Sequence, residues 1–513
     1  MDEGILEGFG EERLKSLRSA TLEGAFAKEV VLEASFTRGL PAFSIVGLGD
    51  EAIKEARDRV KSALILSGYN FPPLKITVNL SPSDLKKSGS QMDLPIALLI
   101  ALQKEPIDFS DYFCFGELGL DGQTRPSPSI FALALSLASQ KLLKRVVTDP
   151  ASALELARIP NVEVFAVKTL NEAIGFFRGI NAIAPTKSAA LEAQTITLDQ
   201  TYYYESATDL DFSEVRGQKQ AKRAALISAA GFHNIILSGA PGVGKSMIVK
   251  RMAGILPPVS LAELLNIASL ESLEGKTPAF KAIRPLRSPH HTATRGSIFG
   301  GGSKESKMGE TALANGGILF FDELPHFPKA ILEAMREPLE DHRLLISRVN
   351  SKVVYETRFI FAAAMNPCPC GNLYSRTREC RCNPIEIERY RSRLSDPFLD
   401  RIDLFAQMND GDINEKGDVN TDELRALSLK AFAMQKNRGQ TQFNGKLSDA
   451  DTERYCAFES EAEKLLIQAA TRFALSERSI GKIRRVSRTI ADLAERETIG
   501  KEQLMEALSF RRR

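Results

Sequence analysis

Eight residues, Gly239–Ser246 (GAPGVGKS), constrain the fold of this 513-residue chain more than any others. They fit G-x-x-x-x-G-K-[ST] at each fixed position. The apolar run Ile235-Ile236-Leu237 precedes them, and a helix-periodic stretch with Met247, Ile248 and Met252 follows. That order predicts strand, tight glycine loop and helix, the start of an α/β domain. Glycines in the loop Gly239, Ala240, Pro241, Gly242, Val243 and Gly244 let backbone N–H groups turn inward as an anion nest at a helix N-terminus. Lys245 can reach the β- and γ-phosphates of ATP, and Ser246 can place its hydroxyl on Mg²⁺. Glycine-rich turns also serve packing, but the strand–helix context favours phosphate binding.

A second segment completes such a site. Gly317–Glu323 (GILFFDE) is a buried-strand run ending in two acids. Ligands sit at the carboxyl ends of parallel strands. Asp322 would then hold Mg²⁺, and Glu323 would orient and deprotonate the attacking water. Phe359–Met365 is another buried strand, ending at Asn366, whose amide could hold that water if the two strands are neighbours. In the segment Leu399–Leu404, Arg401 stands between Asp400 and Asp403. It suits an arginine finger given to a neighbouring subunit, or an intrachain salt bridge with either acid; spacing leaves both open.

Length predicts two or three domains. With 43% hydrophobic and 26% charged residues the chain reads as an ordinary soluble protein. The formal net charge of +2 means that any nucleic-acid binding rests on local basic surface. The acidic start has no signal-peptide core, and the aliphatic run Leu94–Leu102 contains Pro95 and is too short for a bilayer. A cytoplasmic protein without a membrane partner is expected. Residues 1–180 alternate strand-like and helix-like patterns, with strands at Val30–Phe36, Ala42–Val46 and Ile76–Leu80 and helices at Glu51–Leu66 and Asp93–Leu102. Residues 181–205 read as a linker, 206–410 as the nucleotide-binding core and 411–513 as a helical domain. Gly47–Ala52 fits G-x-G-x-x-A, but Ile76–Leu80 runs into Ser81-Pro82-Ser83 rather than the acid a dinucleotide site needs.

GAPGVGKS, RSPHHTATRGSIFGGG (Arg287–Gly302), GILFFDELPHF (Gly317–Phe327), AAMNPCPCG (Ala363–Gly371) and LDRIDL together resemble the ComM/YifB family of Mg-chelatase-like AAA+ ATPases over nearly the whole chain. The resemblance implies an α/β fold: an N-terminal Lon-protease-like (ribosomal S5-type) domain, an AAA+ P-loop NTPase core and a C-terminal helical lid. It implies a homo-hexameric ring with ATP at subunit interfaces, Asn366 as sensor 1 and Arg401 acting in trans. A second sensor arginine is expected within Ser476–Leu493, at Arg485 or the adjacent Arg484. The family is linked to DNA branch migration during natural transformation. In VNLSPSDLKKSGSQMDLPIAL (Val78–Leu98), Gln91 falls where a Lon-type nucleophile is expected and Ser90 is one position off. The domain is therefore expected to be non-proteolytic.

Insertions in the core point to DNA, single-stranded, double-stranded or branched. Arg295–Met308 reads as an exposed loop that in a ring could line the pore through Lys304 and Lys307. Leu344–Glu356 reads as a hairpin turning at Asn350-Ser351, with Arg348 and Lys352 near its tip. A solvated hairpin is the plainer alternative. Cys368, Cys370, Cys380 and Cys382 form C-x-C-x₉-C-x-C, suited to a closed tetrahedral Zn²⁺ site or else four unligated thiols; Cys114 and Cys456 read as solitary buried thiols. The expected function is an ATP-driven hexameric DNA motor for branch migration. The rivals are a chelatase-type motor remodelling a protein partner, an ATP-dependent protease and a non-motor scaffold.

Overall fold

A computed structural model describes residues 15–205, 209–301, 307–347, 352–375, 378–409 and 418–511. The chain divides into two compact units. One runs to Leu191 and includes Ala268–Ala279; the other comprises Glu192–Ile267 and Phe280–Arg513.

The first unit is built on a seven-stranded sheet in the order Ala42–Val46, Lys75–Ser81, Phe26–Thr37, Lys15–Glu23, Tyr112–Cys114, Arg145–Thr148, Glu163–Ala166. Phe26–Thr37 pairs antiparallel with both neighbours, and the two edges are parallel. Helices Glu51–Leu66 and Asp93–Ala101 form where the apolar periodicity predicts them. Residues 93–100 are all buried, so this helix is core throughout rather than amphipathic. The buried Asp93 carboxylate accepts from Arg59 Nε at 2.7 Å and Nη2 at 3.1 Å. Gln91, also buried, donates its amide to the carbonyls of Ser88 (2.9 Å) and Ala20 (3.3 Å). The Ser90 hydroxyl bonds to Glu117. Gln91 thus ties a turn to the first strand. The Gly47–Ala52 stretch is a strand-to-helix turn: Asp50 caps the helix by accepting from Ile53 N at 3.1 Å, and a Cβ at Gly47 would lie 2.3 Å from the Leu80 carbonyl. Ala268–Ala279 joins this unit through Ser272, whose hydroxyl accepts from Ala132 N at 3.3 Å.

The stretch 181–205 is not merely a connector. Gln194–Thr197 and Thr201–Tyr204 pair antiparallel, and the second pairs with Val259–Ser260, forming a three-stranded sheet in the second unit. Tyr202 is buried there, edge-on to Phe432 at 4.9 Å between centroids. Two strands of only four residues each, QTIT and TYYY, in an otherwise weakly periodic run hid this hairpin from a sequence reading.

The second unit centres on five parallel strands in the order Leu286–Arg287, Ile318–Phe321, Ile360–Met365, Ile235–Gly239, Leu404–Met408. Their side chains alternate between two cores. Ile235, Leu237, Ile318, Phe320, Ala362 and Leu404 enter one, shared with helices Lys219–Gly231, Thr421–Asn437 and Glu477–Leu493; Ile236, Leu319, Phe321, Phe361 and Ala363 enter the other. Asn234 stitches the amino edge of this sheet. Its amide oxygen accepts from Phe361 N (3.0 Å), its amide nitrogen donates to Arg401 O (2.9 Å), and its backbone N–H donates to Asp403 Oδ2 (2.8 Å). Beside it, buried His233 bonds through Nε2 to the Thr489 hydroxyl at 2.7 Å. Among the described residues, no helix is long and apolar enough to cross a membrane.

Burial pushes His233 down to about 4 and His342 down to about 3, so both are neutral in the fold near pH 7. An unfolded histidine titrates at about 6.5. The unfolded chain therefore takes up protons first, and stability is full above that value and falls as pH drops toward 4, by up to about 1.4 kcal/mol per pH unit for each histidine. Urea unfolding midpoints should decrease between about pH 7.5 and about pH 5. His233→Gln should show a shallower decline; an equal slope in that variant removes His233 as a source.

Candidate functional site

Because the strands are parallel, their carboxyl ends converge on one edge, and the phosphate loop, Asp322-Glu323 and Asn366 all leave from it. Ser238 is in register with Met365, and Phe321 with Ala363, so the phosphate loop, Asp322-Glu323 and Asn366 emerge side by side. Gly242 and Gly244 have φ of +83° and +93°, the left-handed conformation that turns the loop into the helix Lys245–Met252. Gly239 is required for another reason: a Cβ there would lie 2.7 Å from the Met408 carbonyl.

Lys245 Nζ donates to the carbonyls of Gly239 (2.7 Å) and Ala240 (2.8 Å) and to Asn366 Oδ1 (3.1 Å). Burial lowers its pKa, while the charges of Asp322 and Glu323 pull it back up. The Ser246 hydroxyl donates to Asp322 Oδ2 at 2.7 Å. That hydroxyl–carboxylate pair, beside a glycine nest, is the donor set a Mg²⁺–nucleotide needs, and the ion would neutralise phosphate charge there. Glu323 is exposed and has a φ of +54°, which turns its side chain out of the strand line. Its Oε2 lies 3.7 Å from His291 Nδ1 and 4.0 Å from His326 Nδ1. Neither histidine stood among the predicted site residues. The pair His290-His291 in the Arg287–Gly302 motif was the available signal.

Arg401 and Arg485 are not at this edge. Arg401 precedes Leu404–Met408, which runs parallel to Ile235–Gly239, so it sits at the amino edge. A five-residue strand spans about 16 Å. Within one chain Arg401 is a strand's length from the phosphate loop. Its intrachain partner is neither Asp400 nor Asp403, the two that spacing suggested. Its guanidinium bonds to Glu340 and to the Pro397 carbonyl, and Asp403 is taken by Asn234. The same Glu340 carboxylate holds Arg478, a residue that sequence reasoning passed over. Arg401 borders an open cleft of 660 Å³ with Arg295, Arg336 and Glu337. Arg485 donates to Leu447 O at 3.2 Å, next to Lys446, whose Nζ donates to Asn234 Oδ1 at 3.2 Å. Arg484 points elsewhere, pairing with Glu463 at 2.6 Å.

The four clustered cysteines come together. Cys368 Sγ lies 3.5 Å from Cys370 Sγ and 3.7 Å from Cys380 Sγ, Cys370 and Cys380 are 3.6 Å apart, and all four sulfurs fall within 4.8 Å of one another. A tetrahedral site with Zn–S bonds of about 2.3 Å has sulfur–sulfur edges of about 3.8 Å. Cys114 and Cys456 are buried and solitary, as expected.

The hairpin at 344–356 is present: Arg343–Ser347 pairs antiparallel with Lys352–Glu356, Ser347 opposite Lys352. Its turn, with Arg348, lies outside the described residues, as does Lys304. Lys307 begins the short strand Lys307–Met308, in register with Gly301.

Comparison with known proteins shows the family of the chain. The family described as "Magnesium chelatase, subunit ChlI" matches residues 211–416, "Subunit ChlI of Mg-chelatase" matches 32–150, and "Magnesium chelatase, subunit ChlI C-terminal" matches 418–511. The chain is 36% identical over 498 residues to Competence protein ComM of Haemophilus influenzae, covering 95% of each. It is 36% identical over 501 residues to the YifB protein of Salmonella typhimurium, again covering 95% of each. The Escherichia coli YifB protein is 35% identical over 497 residues, with 95% of each covered.

Removing the cation and removing the base should have different signatures. Lys245→Ala should weaken ATP binding, because the phosphates lose their counter-ion. Glu323→Gln should keep ATP affinity near wild type and lose turnover. Equilibrium binding of a fluorescent ATP analogue and steady-state phosphate release separate the two. Normal turnover in Glu323→Gln would remove Glu323 as the base.

Proposed function

This chain belongs to the ComM/YifB family of magnesium-chelatase-like AAA+ ATPases, and from that premise we propose that it is an ATP-driven, hexameric DNA motor. Its product is ring movement that drives branch migration in homologous recombination during natural transformation, in the cytoplasm. Family membership supports ATPase activity. One observation carries the ring: Arg401 stands at the sheet edge opposite to the phosphate loop of its own chain. A complete site therefore takes Lys245, Ser246, Asp322, Glu323 and Asn366 from one subunit and Arg401 from the next. Arg485, the choice for the second sensor, lies off the carboxyl edge as Arg401 does and is read as acting from the same interface. Arg478 joins them, since it shares Glu340 with Arg401.

The DNA part of the reading is supported by the name of the Haemophilus influenzae relative, a competence protein, and by two strand pairs, Arg343–Ser347 with Lys352–Glu356 and Gly300–Gly301 with Lys307–Met308, whose connecting sequences carry Arg348 and Lys304. In a ring, copies of such ribbons would supply the positive surface that a net charge of +2 does not. Residues 1–180 are read as a Lon-protease-like domain without protease activity, in keeping with the buried amide of Gln91. The cysteine cluster is read as a structural Zn²⁺ site on the strength of its sulfur separations. The alternative is a chelatase-type remodelling subunit acting on a protein partner, favoured by the descriptions of the three matching families. ATP turnover measured with branched DNA and with a tetrapyrrole-processing enzyme separates the two readings.

Arg401→Ala should leave ATP binding near wild type and lower turnover by a factor of about 10³–10⁵. Mixed with Glu323→Gln subunits, it should regain activity at interfaces that pair an intact Arg401 with an intact Glu323. Confirmed mixed rings with no recovery at any ratio would confine Arg401 to its salt bridge with Glu340.

The double variant Arg348→Ala/Lys352→Ala should keep basal hydrolysis and lose DNA stimulation. Each phosphate contact removed should also flatten the salt dependence of DNA binding by about 0.7–0.9 in log–log slope. Unchanged stimulation and slope would shift the DNA contact to the Lys304–Lys307 segment or the N-terminal unit.

A further inference from the structure

We propose that the four-cysteine cluster is a metal-held brace for the phosphate loop, so that metal occupancy and nucleotide affinity are coupled. The inference rests on the metal reading of the cluster and adds a role to it.

The segment from Asn366 to Gly371 touches the phosphate loop at both of its ends. At one end the Asn366 amide oxygen accepts from Lys245 Nζ at 3.1 Å. At the other, Gly371 lies against Pro241: a Cβ built on Gly371 would stand 2.4 Å from Pro241 Cδ and 2.8 Å from its Cγ. The contact leaves no room for any side chain. Its φ of +81° also favours glycine, and its N–H closes a turn onto the Cys368 carbonyl at 3.0 Å. Pro241 offers a stiff ring with a locked φ, not a flexible tip that could step aside. Two of the four sulfurs, those of Cys368 and Cys370, lie between these two contacts.

The other two anchor the cluster to firmer ground. Cys382 accepts from Cys370 N at 3.4 Å. It is followed directly by Asn383, which caps the helix Pro384–Arg391 through a reciprocal capping box with Glu386. Tyr390 of that helix is buried beside the Asn366 backbone. A tetrahedral ion on the four sulfurs would therefore fasten the segment that presses on Pro241 and Lys245 to a capped helix. With the ion removed, thiolates held 3.5–3.7 Å apart repel one another, and thiols have nothing to bridge them. The segment then spreads, and both contacts with the phosphate loop loosen.

Two measurements on the full-length chain test this. The first is equilibrium binding of a fluorescent, non-hydrolysable ATP analogue with Mg²⁺ to wild type and to Gly371→Ala, each with zinc content determined by elemental analysis. Gly371→Ala should retain about one zinc per chain and bind the analogue between about tenfold and a hundredfold more weakly, the effect of displacing a site by about 1 Å. The second uses wild type alone. Coupling is reciprocal, so saturation with the analogue should raise zinc retention against a chromophoric chelator by a comparable factor. Protein purified without chelator that holds no metal and titrates four reactive thiols in the cluster would overturn the metal site itself. Bound metal, with analogue-independent retention or with normal affinity in zinc-loaded Gly371→Ala, would overturn the brace and leave the metal site standing.

Discussion

The parallel hydrogen-bond register of the five core strands is the constraint on which this molecule depends. In a parallel sheet every strand points the same way, so each strand-to-loop exit lies on one edge and each entry on the other. Gly239, Phe321 and Met365 end on the same side, which is why residues far apart in sequence meet at Lys245. The same rule sends Arg401, which enters a strand, to the far side. Strand direction thus keeps Arg401 a strand's length from the phosphate loop of its own chain. Asn234 keeps that edge in register, with hydrogen bonds to the two neighbouring strands, one to Phe361 and two to the entry of Leu404–Met408.

Electrostatics at the carboxyl edge describe a site prepared for an anion. The buried Lys245 ammonium is held by two carbonyls and an amide oxygen, neutral acceptors that leave its charge uncompensated except by Asp322 and Glu323 nearby. A polyphosphate would supply the missing negative charge. The acids divide the remaining work by exposure: Asp322 is engaged with Ser246, while Glu323 faces outward between two imidazoles. Cys368 follows Asn366 by two positions, so whatever fixes the sulfurs acts within a few ångströms of this cluster.

The first unit shows a different use of buried polarity. The Gln91 amide nitrogen donates to two backbone carbonyls, and Asp93 accepts from Arg59 and from a backbone N–H. Their role is to hold the turn and the first residue of an otherwise apolar helix. With its amide nitrogen bonded to two carbonyls in the core, Gln91 serves packing.

Local pattern alone determined a great deal. The glycine loop, the apolar strand ending in Asp322-Glu323, the strand ending at Asn366, the hairpin around 344–356 and the helices Glu51–Leu66 and Asp93–Ala101 were legible because each is written in a continuous run of residues with its own period. The clustering of four cysteines was legible from number and spacing. Tertiary structure decided what the period of a segment cannot encode. It set strand order, and hence that Asn366 stands between the phosphate loop and the acids while Arg401 stands opposite. It gave Arg401 a partner, Glu340, that lies 61 positions away, where sequence offered only its adjacent acids. It brought His291 and His326 to Glu323, turned a supposed linker into two paired strands, and set Gly371 against Pro241. Each of these depends on the distance between residues remote in the chain, and that distance is fixed by the packing of whole elements, not by the identity of neighbours along the backbone.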